Sequence, residues 1–142
     1  MMSAGKYVIL YLVTLAVFLV LDFIWLGLVA RNFYRSQLGD LMRKKPIWSV
    51  AFGFYALFIL GLLIFVLTPA IKSGSWTTAL LTGGLFGLFT YATYDLTNLA
   101  TLRNWPLPMV VVDLVWGVVL SGAVSLISFL FTDRLLSGGS PG

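Results

Sequence analysis

Long apolar runs separated by short polar segments form the dominant pattern of this chain. Four runs lie at about residues 7–29, 47–70, 77–101 and 107–131. Each reaches the roughly 20 residues that an α-helix needs to cross about 30 Å of hydrocarbon. The runs are continuous and lack the two-residue alternation of membrane β-strands. The pattern therefore predicts an all-α, polytopic membrane protein built as a four-transmembrane-helix bundle.

The polar segments are too short to form a second domain. The connection at residues 30–46 is the longest, and those at 72–75 and 103–108 contain only a few residues each. We therefore expect one transmembrane domain over residues 1–136, followed by a flexible Gly/Ser-rich tail at 137–142. The first run lacks a small-residue cleavage pattern, so we expect a retained helix rather than a signal peptide.

Composition agrees with a membrane protein and narrows its chemistry. The chain is 60% hydrophobic and 10% charged, against about 45–50% and about 25% in soluble proteins. It contains no cysteine and no histidine, which removes thiolate chemistry and the commonest transition-metal ligand. It also lacks the glycine-rich phosphate-binding motifs. We expect no haem, zinc or nucleotide, and the identity of any other cofactor is left open.

Lysine and arginine are unevenly distributed over the two expected membrane faces. The connections at residues 30–46 and 102–107 carry six of the nine basic residues. The positive-inside rule therefore predicts that these connections are cytoplasmic and that the N and C termini lie outside. The basic cluster at residues 43–45 is attributed to this topology signal, and nucleic acid is not expected as a partner.

Three acids lie within the apolar runs: Asp22, Asp95 and Asp113. In an up-down-up-down chain all three fall about 10 Å inside the same face, at 1.5 Å per residue. Each carboxylate costs about 2.5–3.5 kcal/mol or more in hydrocarbon. We therefore expect them to meet inside the bundle, near the cytoplasmic leaflet.

Aromatic and amide side chains accompany these acids at helical spacing. The predicted ligand-binding site consists of Asp22, Trp25, Tyr91, Tyr94, Asp95, Asn98, Asp113 and Trp116. No metal ion is assigned to this site; if one binds, its expected ligands are Asp22, Asp95 and Asp113. The alternative is a buried hydrogen-bond network that only holds the helices together.

Gly83 and Gly87 have the four-residue spacing that is typical of close helix packing. We expect bulky replacements there to disrupt either the fold of one chain or a dimer. Four helices of this size enclose little volume, so a transport path would require a homo-oligomer.

Several segments of the chain resemble an uncharacterised family of small bacterial inner-membrane proteins, a domain-of-unknown-function family. The most specific segment is YDLTNLA at residues 94–100, and DFIWLG at 22–27 and DLVWG at 113–117 also match. The resemblance covers nearly the whole chain. It implies a four-helix protein of the bacterial inner membrane and supplies no activity.

Three classes of function remain open. In the first, the acids bind a cation, a proton or a polar or lipid head group from the cytoplasmic leaflet, for permeation or transport. In the second, the protein is a membrane enzyme acting on lipid with an aspartate as general base. The sequence shows no nucleophile and base pair, so an enzymatic role is left open and ranked below binding. In the third, the protein is a structural or accessory membrane subunit.

Overall fold

The computed structural model describes residues 2–138, which fold into helices without a β-strand among them. Helix α1 (Ala4–Ile24) continues into a π-helical turn, Trp25–Val29. Helix α2 (Arg31–Leu38) and a 3-10 turn (Gly39–Leu41) follow it. The later helices are α3 (Trp48–Leu62), a π-helical turn (Leu63–Leu67), α4 (Thr68–Ser73), α5 (Trp76–Thr101) and α6 (Leu107–Ser137).

Local sequence signals explain several helix ends. The Ser3 side chain caps α1 by accepting a hydrogen bond from the Lys6 amide at 3.3 Å. Ser75 caps α5 in the same way, with the Thr78 amide at 3.1 Å. Gly74 ends α4 in the left-handed conformation (φ 62°), which glycine adopts at little steric cost. These caps satisfy backbone groups that a helix end leaves without partners.

Three helical stretches of the described chain are long and apolar enough to cross a membrane: Ala4–Val29, Trp48–Ser73 and Leu107–Ser137. The second of these is one continuous helical stretch that contains α3, the turn Leu63–Leu67 and α4. Three of the four predicted spans are therefore present as membrane-spanning candidates. The fourth run also forms a helix, α5, but its many threonine, glycine and tyrosine residues lower its mean hydropathy, so it is not among these candidates.

Helix α5 packs tightly against α6 because glycines remove the side chains between them. A β-carbon at Gly87 would overlap the Gly117 carbonyl oxygen, and one at Gly83 would lie 2.7 Å from Ser125 Cβ. The close packing predicted from the Gly83 and Gly87 spacing is thus confirmed, and its partner is α6 of the same chain.

Helix α6 also packs on α1, and apolar side chains fill the space between the rods. Phe18, Ile59, Leu62 and Leu120 are fully buried in the main core cluster. Many bulky apolar side chains point outward, including Leu57, which is 69% exposed. An outer surface of this kind suits contact with lipid.

The helix bounds differ from the sequence prediction at two places. The last helix was expected to end near residue 131 but runs to Ser137, the first residue of the predicted tail. Residues 139–142 of that tail lie outside the described residues. The connection at residues 30–46 contains helix α2, which the sequence analysis did not predict because it followed only long apolar runs.

Candidate functional site

Asp22 joins three helices through its carboxylate. It lies near the end of α1 and is only 5% exposed. The Trp116 indole of α6 donates a hydrogen bond to Asp22 Oδ1 at 3.1 Å, and the Tyr55 hydroxyl of α3 donates to Oδ2 at 3.3 Å. Both oxygens of this buried acid therefore have donors, as a desolvated carboxylate requires.

Asp113 is held by a second chain of hydrogen bonds. The Tyr34 hydroxyl of α2 donates to Asp113 Oδ1 at 2.7 Å. The same hydroxyl accepts from the Trp25 indole at 3.3 Å. Burial and the hydrogen bond to Asp113 raise the pKa of Tyr34 above its ordinary value, so this phenol remains a neutral donor.

The two chains meet through a stacked pair of indoles. The Trp25 and Trp116 rings lie 4.4 Å apart at an angle of 10°. Trp116 binds Asp22, whereas Trp25 reaches Asp113 through Tyr34. This explains why two tryptophans lie deep in the apolar runs rather than at the membrane interface.

The backbone of α1 widens where it reaches this site. The Ala30 amide donates to the Trp25 carbonyl at 2.7 Å, five residues back. A π-helical turn of this kind is rare and is often found at functional sites. Here it leads directly from the helix that carries Asp22 to the helix that carries Tyr34.

Asp95 of α5 is the most enclosed of the acids. It has no exposed surface, and neither of its carboxylate oxygens has a hydrogen-bond donor. The Trp105 indole lies nearby, yet its N–H is also without an acceptor. The Asp113 carboxyl lies on the other side, close enough to share a hydrogen bond.

A cavity of about 360 Å³ opens beside these acids. It lies between the first half of α3 and the second half of α5, where Phe54 and Tyr94 are 53% and 56% exposed. Its walls are mainly aromatic and apolar, and its charged groups are Asp22 and Asp113. The lining residues are Asp22, Leu26, Ala51, Phe54, Tyr55, Thr90, Tyr91, Tyr94, Asp113 and Trp116.

A family of predicted membrane proteins, DUF2177, matches residues 7–130 of this chain. The chain belongs to the DUF2177 family. The match contains every residue of the predicted site and carries no assigned activity. No match was found among curated proteins or solved structures. The resemblance that the sequence motifs indicated is thus confirmed for this DUF2177 protein.

The predicted site residues of the DUF2177 chain fall into two groups. Five line the cavity: Asp22, Tyr91, Tyr94, Asp113 and Trp116. Trp25 lies behind Trp116, and Asp95 lies behind Asp113 without reaching the cavity wall. Asn98 is half-buried, one helical turn after Asp95, and does not line the cavity.

The three acids do not form a metal-binding group. Asp113 neighbours both Asp22 and Asp95. Among residues 2–138, however, no set of three acidic side chains has an arrangement that would hold a metal ion. The optional metal site at Asp22, Asp95 and Asp113 therefore has no support from the geometry.

Two tyrosines of the site were missed by the sequence analysis of this DUF2177 protein. Tyr34 lies in the connection that was read as polar, and Tyr55 lies within an apolar run. A signal for Tyr34 is the amphipathic character of its segment. Tyr55 belongs to a Phe-Tyr pair at residues 54–55 that also matches the family resemblance, although that match carries no assigned role.

Proposed function

We propose that this protein crosses the membrane four times and binds a cationic amphiphile in the cavity between α3 and α5, for permeation or transport. The observation that carries the proposal is the pairing of Asp22 and Asp113 with aromatic walls in a cavity that contains no basic side chain.

The outward face of α5 supports a fourth crossing. Leu81, Leu85 and Phe89 are 66%, 50% and 66% exposed along one side of the helix. Gly83, Gly87 and Asp95 of this helix are buried against α6. Part of the low mean hydropathy of α5 thus comes from residues that would not meet lipid.

The distribution of basic residues supports an orientation with the cavity end of the bundle in the cytoplasmic leaflet of a bacterial inner membrane. Reporter fusions at Gly39 are expected to be active in the cytoplasm, and fusions at Gly142 are expected to be active outside. If the Gly39 fusion were active outside and the Gly142 fusion in the cytoplasm, the orientation would be reversed without a change in the cavity. If both fusions lay on the same face, a fourth crossing by α5 would be excluded, because only two spans would then separate them.

The charges around the cavity favour a cation. The groups that surround Asp22 are Trp116, Tyr55 and Asp113, and none of them carries a positive charge. A cation placed between two carboxylates and aromatic faces gains Coulomb attraction and about 0.5–2 kcal/mol of cation–π interaction at each well-placed ring. An anionic head group would face repulsion from both acids.

The position of the opening favours an amphiphile. The first half of α3 is mostly exposed, and its burial begins at Phe58. The cavity mouth is therefore flanked by side chains such as Phe54 that would contact lipid. A ligand whose tail stays in the bilayer could place its head beside Asp22 without passing through water.

Binding of dodecyltrimethylammonium to protein in nanodiscs tests this function. We expect Asp22→Asn to weaken binding at least about tenfold, equivalent to about 1.4 kcal/mol. The amide keeps an acceptor for the Trp116 indole, so the helices should stay in place. Calorimetry against empty nanodiscs separates protein binding from partition into lipid.

The matched control is Asp133→Asn, which removes the same charge from an exposed position and should leave the affinity unchanged. The uncharged carbon analogue of the probe should bind weakly to the wild type. Equal affinity of the probe for wild type and Asp22→Asn would contradict the proposal. If that variant also unfolded at lower temperature, the role of Asp22 would be to hold α1, α3 and α6 together.

A further inference from the structure

The Asp95 carboxyl group takes no part in the hydrogen bonds that tyrosine and tryptophan side chains make around Asp22 and Asp113. It is fully buried, and both of its oxygens lack a donor. A buried carboxylate without donors has lost its hydration without replacement, which is strongly unfavourable. The Trp105 N–H beside it could supply one donor to one oxygen, but the other oxygen must still find a proton, a water molecule or a cation.

Asp113 is the acid that faces Asp95 from α6. The two carboxyl groups are close enough to share a hydrogen bond, but two ionised carboxylates contain no proton with which to form it. If one of them is protonated, its O–H can donate to the other. A single proton therefore removes both the repulsion and the missing donor.

Among residues 2–138, the groups that interact electrostatically with Asp95 carry no positive charge. They are Asp113 of α6, Trp105 of the following connection, Tyr34 of α2 and Tyr94 of its own helix. None is a lysine or an arginine. The pair thus depends on a proton rather than on an ion pair.

The cavity side of Asp113 is equally free of positive charge. Asp22 of α1 and Tyr91 of α5, which also line the cavity, interact electrostatically with Asp113, and the Tyr34 hydroxyl, which does not line the cavity, donates to Asp113 Oδ1. Asp113 lines the cavity, whereas Asp95 does not. The same carboxyl group therefore faces a ligand on one side and its acidic neighbour on the other.

We propose that Asp95 and Asp113 hold one proton between them behind the cavity, and that a cation bound in the cavity displaces it. The inference rests on the proposed function, because it requires a cationic ligand. When the cation arrives, the O–H bond of the pair breaks and the proton leaves to bulk water. The pair then carries two negative charges and the cation one positive charge, so the net charge stays at −1.

Competition between a proton and a cation predicts a defined pH dependence. The cation binds the unprotonated pair, so its affinity falls as the pH falls through the range in which the pair takes up its proton. For exchange of one proton per cation, the dissociation constant of the cation rises about tenfold for each unit by which the pH falls in that range.

Proton release on binding tests the exchange. Wild-type protein in nanodiscs, in weakly buffered solution with a pH-indicating dye, should release about one proton for each dodecyltrimethylammonium bound. Asp95→Asn should release close to none, and Asp133→Asn should release as much as the wild type. Release is expressed per bound probe, so a change in affinity does not alter the ratio.

Infrared spectroscopy of the wild type, without and with the probe, gives a second readout that needs no variant. A protonated carboxyl group has a C=O stretching band that shifts in D₂O, and this band should weaken when the probe binds. Probe binding without proton release would overturn the exchange and leave the proposed function standing. If the probe does not bind but the carboxyl band is present, the proposed function is wrong and the shared proton still stands. Absence of the band in the ligand-free protein would overturn the shared proton itself.

Discussion

Gly87→Ala is expected to lower the free energy of unfolding by about 3 kcal/mol or more, the upper end of what overpacking costs. The added methyl group would overlap the carbonyl carbon and oxygen of Gly117, which belong to the α6 backbone. A backbone cannot rotate away as a side chain does, so α5 and α6 would have to separate. That separation would also pull Asp95 away from Asp113.

Thermal unfolding in detergent measures this effect, and Gly84→Ala is the matched control. Gly84 lies on the same helix, but a methyl group there would lie 3.5 Å from Val118 Cγ1, an ordinary contact distance. The control should unfold near the wild-type temperature. If both variants unfolded at the same temperature as the wild type, the close approach of α5 and α6 at Gly87 would be wrong.

Tyr34→Phe is expected to have the second-largest effect on stability. The change removes one hydroxyl that serves two partners, Asp113 as an acceptor and Trp25 as a donor. A buried polar group left without its partner costs about 1–3 kcal/mol. Because Asp113 and Trp25 each lose a partner, we expect the free energy of unfolding to fall by about 2–4 kcal/mol. The decrease is smaller if a water molecule takes the place of the hydroxyl.

Tyr7→Phe is the control for this substitution. Tyr7 packs near the other end of the bundle, against the core cluster that contains Leu10, and loses the same hydroxyl. The free energy of unfolding should change little for this variant. An unchanged stability for Tyr34→Phe would mean that α2 does not hold Asp113 in place.

The hydropathy pattern was enough to predict the three helical stretches that are candidates to span a membrane, Ala4–Val29, Trp48–Ser73 and Leu107–Ser137. Each is set by local composition, which a window of about 20 residues detects. Helix α5 is different because some of its small and polar residues, such as Gly87 and Asp95, are buried against a partner helix, whereas others, such as Tyr94, are exposed. Whether such a residue meets lipid or protein depends on tertiary packing, which a single run of sequence does not contain.

The acids and indoles of the site, with Tyr91 and Tyr94, were predictable from the sequence. Buried charge in an apolar run is costly wherever it occurs, so Asp22 and Asp113 could be selected without a structure. The pairing of Asp22 with Trp116, and the presence of Tyr55, could not be predicted, since these residues lie 94 and 33 residues from Asp22 along the chain. The cavity itself lies among side chains of α1, α3, α5 and α6, and no residue type signals that these helices leave a space there.

The widened turn at Trp25–Val29 gives this part of the chain a tolerance to length variation. A π-helical turn contains about one residue more than an α-helical turn. Deletion of a single residue between Trp25 and Val29 could therefore be absorbed by a return to regular α-helix, with Asp22 and Tyr34 keeping their directions. Family members that are one residue shorter at this point should still align on both sides of the gap and retain the aspartate and the tyrosine.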